Sequence, residues 1–217
     1  VATTAQLLDW IRLESPATRL IAVSSAAVYG AGHQSSIAED QARVPFSPYG
    51  YHKLMMEQLC RSYAATYGTR VAVARLFSVY GSFLQKQLLW DLCTKLASGT
   101  SMVELGGTGE ELRDWTDVRD VVRALSLVKE LASDAAPIVN AGTGSATSVR
   151  EVASIVTDAW PTVANTIFSG KSRAGDPFSL VADGSRLRAL GFEWAVPVET
   201  GIRDYVEWYL RQAGSGA

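Results

Sequence analysis

The chain has 217 residues, 47% of them hydrophobic, with 20 basic against 22 acidic side chains and a formal net charge of −2. That is enough for one large domain, or a domain with a small lobe, built around a true apolar core. The charge balance argues against nucleic acid as a partner, and no apolar run reaches the ~18 residues that a membrane span requires.

The spacing of Leu7, Leu8 and Ile11 predicts a helix over residues 1–14, helical from the first residue. Residues 19–24 form a short apolar run, read as a buried parallel strand. Ser47-Pro48 opens a helix over 49–67, which Gly68 closes. A second buried strand covers 71–76, and a helix follows over 84–98. A further helix is expected over 116–131, with Asp117, Asp120 and Arg123 as polar positions on it. Residues 137–140 begin a third strand. Ser148 and Glu151 make a capping box for a helix over 148–160. The last helix runs over 198–213 and ends in a frayed Gly-Ser-Gly-Ala tail. Strands alternating with helices of this length imply an α/β fold with a parallel sheet.

Cys60 and Cys93 sit among apolar neighbours in helical patterns and read as buried, reduced thiols. His33 and His52 have no companions at metal-ligand spacing, so no metal site is expected. No signal peptide is visible, and a cytoplasmic location is expected.

The chemistry concentrates in Tyr49-Gly-Tyr-His-Lys53. At a spacing of four, phenol and ammonium share a helix face. A cation beside a phenol favours phenolate, which suits general acid–base work near neutral pH. Ser25 closes the preceding strand, at the end where parallel sheets place their ligands.

Ser24-Ser-Ala-Ala-Val-Tyr-Gly30, Ser47-Pro-Tyr-Gly-Tyr-His-Lys53 and Arg75-Leu-Phe-Ser-Val-Tyr-Gly81 resemble, in order, the NAD-dependent epimerase/dehydratase family of extended short-chain dehydrogenase/reductases. Gly107-Thr-Gly-Glu-Glu-Leu-Arg-Asp-Trp-Thr-Asp-Val-Arg-Asp120, Asn140-Ala-Gly-Thr-Gly144, and Arg173-Ala-Gly-Asp176 followed by Asp183, extend the match over nearly the whole chain. The resemblance implies a partial Rossmann-like parallel sheet over 1–82 and 116–150, interleaved with a small substrate-binding lobe formed mainly by 83–115 and 151–217. It implies Ser25, Tyr49 and Lys53 as catalytic residues. Ser24, Tyr49, Lys53 and Phe77 would face the cofactor, NAD with NADP as the alternative. Ser25, Ser78, Lys86, Arg113 and Arg173 would face a nucleotide sugar, with Gln87 beside Lys86 and the arginines on its diphosphate. It also implies a homodimer through helices 1–14 and 49–67.

Three departures narrow the reading. Ala26 and Ala27 stand where family 4,6-dehydratases carry an Asp-Glu pair, which argues against dehydration. Ser78 stands where many members have asparagine. No Gly-x-x-Gly-x-x-Gly turn after a strand is present, and Gly142-x-Gly144 reads as a turn before the capping box. The resemblance places residue 1 inside the helix before the family's fifth strand, so the pyrophosphate half would lie upstream in a longer or truncated protein. Three functions follow as candidates: a nucleotide-sugar epimerase, a 4-keto-sugar reductase, or a non-catalytic nucleotide-sugar-binding or interaction fragment.

Overall fold

The protein is represented by a computed structural model that describes residues 1–171 and 177–214. The elements, in chain order, are α1 (Ala2–Glu14), β1 (Arg19–Ser25), α2 (Pro48–Tyr67), β2 (Arg70–Leu76), β3 (Ser78–Tyr80), α3 (Gln87–Ala97), β4 (Met102–Leu105), β5 (Leu112–Arg113), β6 (Trp115–Asp117), α4 (Val118–Val128), β7 (Ile138–Ala141), β8 (Thr147–Ser148), α5 (Val149–Ala159), β9 (Asn165–Phe168), β10 (Ser179–Leu180), α6 (Ser185–Ala189) and α7 (Val198–Gly214).

The three expected strands pair in parallel in the order β1-β2-β7. Arg19 lies opposite Arg70 and Ser25 opposite Leu76, while Val73 lies opposite Ile138 and Leu76 opposite Ala141. The central strand, β2, buries its five middle residues. Four of them, Val71 to Ala74, read as an apolar run in the sequence, and the fifth is the charged Arg75. Among the described residues, β1 lies at one edge of this sheet. One face carries α1 and α2, with Leu8, Cys60, Ala64, Val71 and Val73 in a single cluster. The other carries α4 and α6, with Ala124, Val128, Leu187 and Phe192. A separate cluster joins α3, α5 and α7 around Leu92, Cys93, Val152, Ile202 and Tyr205.

Several boundaries differ from the sequence reading. The helix expected over 116–131 begins as a strand, because Trp115–Asp117 pairs with Ser78–Tyr80. Asp117 then caps α4 by accepting the Arg119 N–H at 2.9 Å. Asp120 is buried, accepting the Ala195 and Val196 N–H groups at 2.9 Å each. The helix expected from Leu84 starts at Gln87, since residues 81–86 form a loop. Strands β3, β5, β6, β8 and β10, of two or three residues, are too short to show a period of two.

Both cysteines are buried and unpaired. Burial pushes Cys60 up to about 11, with the nearby Glu57 charge adding to it, and Cys93 up to about 12. Among the described residues, no helix is long and apolar enough to cross a membrane, and no group of three or more His, Cys, Asp or Glu side chains is placed to hold a metal.

Candidate active site

A cavity of about 840 Å³ opens where the C-terminal ends of β1 and β2 meet α2, α3 and the loop before β5. Ser24, Ser25, Tyr49, Lys53, Phe77, Ser78, Lys86 and Arg113 all line it. Sequence positions 24 to 113 thus converge on one space. Arg173 lies outside the described residues, as do the other residues of its Arg173-Ala-Gly-Asp176 motif.

Local chemistry sets each group. Ser25 ends β1 and caps the 3-10 turn Ala26–Val28, its Oγ accepting the Ala27 N–H at 3.2 Å. That bond leaves the hydroxyl proton to donate into the cavity. Ser47 caps α2 through the Gly50 N–H at 3.1 Å, and Pro48 occupies the first turn. The next residue, Tyr49, is 55% exposed. One turn on, the Lys53 ammonium stands 5.7 Å from the Tyr49 ring centroid and donates to the Val23 carbonyl at 2.8 Å. An ammonium has three donors, so two remain for ligand oxygens or the phenol.

Ser24 behaves differently from its neighbour. Its hydroxyl is donated to Glu57 Oε1 at 2.5 Å, beneath the cavity floor. Arg113 is steadied by donating to the Leu112 and Phe178 carbonyls at 2.9 and 3.3 Å. Lys86 caps α3 by position only, with no side-chain bond to the helix.

Sequence reasoning missed two carboxylates. Glu111 accepts the Thr108 N–H and hydroxyl at 2.8 and 3.0 Å and the Gly109 N–H at 2.9 Å, bracing the loop that leads to Arg113. Partial burial pushes this carboxyl up, but the hydrogen bonds from Thr108, its own backbone and Gly109 outweigh it and hold it below the usual range. Asp114 is fully buried. It accepts from Thr143 N and Oγ1, Gly144 N and Ala182 N at 2.7 to 3.1 Å. Burial holds it above the usual range despite those bonds. Its carboxylate fills the anion-binding turn at Thr143-Gly144, so this turn serves the fold rather than a phosphate. The signal available was Asp114's place inside the Gly107–Asp120 motif.

Residues 1–142 match the NAD dependent epimerase/dehydratase family. The chain belongs to this family. It is similar to the UDP-glucose 4-epimerase of Azospirillum brasilense, 30% identical over 188 residues, which cover 78% of this chain and 54% of that protein. A dTDP-glucose 4,6-dehydratase of Streptomyces griseus is 30% identical over 209 residues, covering 95% of this chain and 62% of that one. Among solved structures, MoeE5 in complex with UDP-glucuronic acid and NAD is 33% identical with a TM-score of 0.86, over 98% of this chain and 71% of that one. The chain therefore spans between half and two thirds of these two curated relatives. The fold is the Rossmann-like α/β fold of these proteins, and the family is NAD-dependent.

Proposed function

We propose that the chain carries the catalytic centre of an NAD-dependent nucleotide-sugar epimerase. The observation that carries this reading is the convergence of Ser25, Tyr49 and Lys53 on the same cavity as Phe77, Ser78, Lys86 and Arg113.

The donor set suits the nicotinamide-ribose half of NAD. Lys53 offers two unused N–H donors for ribose hydroxyls, and Phe77 offers an apolar surface for the ring. When bound, NAD supplies a hydride acceptor that can give the hydride back. The protein's own groups handle the proton and the charge. Tyr49 Oη takes the proton of a sugar hydroxyl, with the Lys53 ammonium one helical turn away. Ser25 Oγ donates to that same oxygen. Arg113 faces the diphosphate, for which a guanidinium gives forked bonds.

Ala26 and Ala27, in the turn after Ser25, offer only methyl groups. Elimination of water needs an acid and a base that these residues do not provide, which favours epimerisation over dehydration. A 4-keto-sugar reductase would use the same Ser, Tyr and Lys, and the direction of hydride return separates the two. The second reading is a nucleotide-sugar-binding fragment, since Lys86 and Arg113 on the cavity wall would hold a diphosphate without any turnover.

The test is to incubate the protein with NAD and UDP-glucose and follow formation of the epimer. Tyr49→Phe should lower kcat by roughly 100- to 10,000-fold, the range for a lost general acid–base group, while UDP-glucose binding by calorimetry persists. Binding without turnover in the wild type favours the binding-fragment reading. Neither binding nor turnover across a panel of nucleotide sugars would sink both.

A further inference from the structure

Beneath the cavity floor lies a set of charged and polar side chains that the proposed chemistry does not use. Arg75 and Glu57 are 0% and 1% exposed. They meet as a two-point fork, Nε to Oε1 at 2.9 Å and Nη2 to Oε2 at 2.7 Å. Glu57 Oε1 also accepts the Ser24 hydroxyl. Arg75 Nη1 donates to Tyr29 Oη at 2.7 Å and to the Glu39 carbonyl at 3.0 Å.

Each partner belongs to an element that presents a site residue. Glu57 follows Lys53 by four residues and Tyr49 by eight, so all three share one face of α2. Ser24 is the neighbour of Ser25 at the end of β1. Arg75 precedes Phe77 by two residues at the end of β2. Tyr29 follows the turn that Ser25 caps. One guanidinium–carboxylate pair therefore ties together every element that carries the Ser, Tyr and Lys.

Stability alone does not account for this pair. Desolvating two charges offsets most of their attraction, and a well-packed apolar pair of similar volume is as stable or more so. What a fork supplies is direction, since two parallel bonds fix both distance and angle. We propose that Glu57 and Arg75 are a positioning pair. They set α2 against the ends of β1 and β2 and so fix where Tyr49 and Lys53 stand relative to Ser25. The inference deepens the epimerase reading and rests on it for its kinetic arm only.

Removing one partner alone would leave an unpaired buried charge and confound positioning with unfolding. The informative variants are the apolar double substitution Glu57→Leu with Arg75→Met, and Arg75→Lys, which keeps the charge but loses the fork. Folding is checked by cooperative melting and by protection of Cys60 and Cys93 from a thiol reagent. In protein supplied with NAD and UDP-glucose, the double variant should lose roughly 100-fold in kcat, as an ~1 Å misplacement does, with KM changed by less than about threefold. Arg75→Lys should lose about 10-fold on the same grounds. Crystal structures of the variants should show the Tyr49 end of α2 displaced from Ser25 by more than the ~0.5 Å that productive geometry tolerates.

A double variant with native kcat, or with KM raised and kcat intact, overturns the proposal. So does failure of both variants to fold, which would make the pair a folding element. If the wild type turns over no nucleotide sugar, it is the epimerase reading that fails. The crystallographic arm then decides alone, and an undisplaced α2 overturns the positioning role.

Discussion

Gly50 stands next to Tyr49 on the first turn of α2, where the helix meets the turn that follows Ser25. A Cβ placed there would lie 2.6 Å from the Ala27 carbonyl oxygen and 2.8 Å from the Pro45 Cβ. Two effects oppose each other in Gly50→Ala. Helix propensity favours alanine by up to about 1 kcal/mol. Overpacking against a backbone that cannot give way costs about 1–3 kcal/mol. The clash should win, so Gly50→Ala should lower stability in urea titration and reduce kcat more than it changes KM. A variant more stable than wild type would mean that α2 does not approach this closely. The residues differ in how far their roles can be read from sequence. Tyr49 and Lys53 are legible as a pair because a spacing of four puts phenol and ammonium on one helix face, while the roles expected of them come from the family resemblance. Glu57 is not, although it continues the same spacing of four. A glutamate on a helix reads as solvated until Arg75, eighteen residues away, is seen to bury it. Asp114 is hidden for the same reason, since its partners lie near residues 143 and 182.

The elements divide along the same line between local and distant causes. The start of α5 is written locally. Ser148 Oγ accepts the Glu151 N–H at 3.1 Å, and Glu151 accepts the Ser148 N–H at 2.7 Å. The start of α4 is not, because Trp115–Asp117 becomes a strand only by pairing with residues 78–80, some 37 positions upstream. Removing the cap by Ser148→Ala should cost about 1 kcal/mol in a denaturant series. Glu151 adds a pH dependence with a definite sign. The Ser148 backbone bond, and next its hydroxyl, hold the Glu151 carboxyl below the usual range. A carboxylate lowered on folding stabilises above its unfolded value, about 4.3, and loses that contribution as pH falls through its folded value. Glu151→Gln should therefore be less stable than wild type at neutral pH, and the difference should shrink to nothing in acid. A deficit independent of pH would remove the charge from the account of this cap.

At the scale of the molecule, two surfaces remain that could bring copies together. In α1, Leu7, Trp10 and Leu13 recur at a spacing of three, and Trp10 is 54% exposed. In α2, Tyr51 and Met55 recur at four, with Met55 44% exposed. The two helices pack side by side, and exposed apolar residues on neighbouring helices are of the kind that marks an interface. The second surface is the side of β1 away from β2, which has no strand partner among the described residues and where Val23 is exposed. An unpaired strand edge is a template for further strands. The two make different assemblies. A helical face meeting its own copy across a two-fold axis uses the surface up and stops at two. The proposed homodimer through α1 and α2 is of this kind, and light scattering should then reach a plateau at twice the monomer mass. Trp10→Asp with Met55→Asp should weaken it by roughly 30-fold or more, as loss of a central aromatic anchor does. Thermal melting of the separated monomer should stay cooperative, since neither residue belongs to the buried clusters. Mass that keeps growing with concentration, and that falls on Val23→Lys rather than on the helix substitutions, would assign association to the strand edge instead.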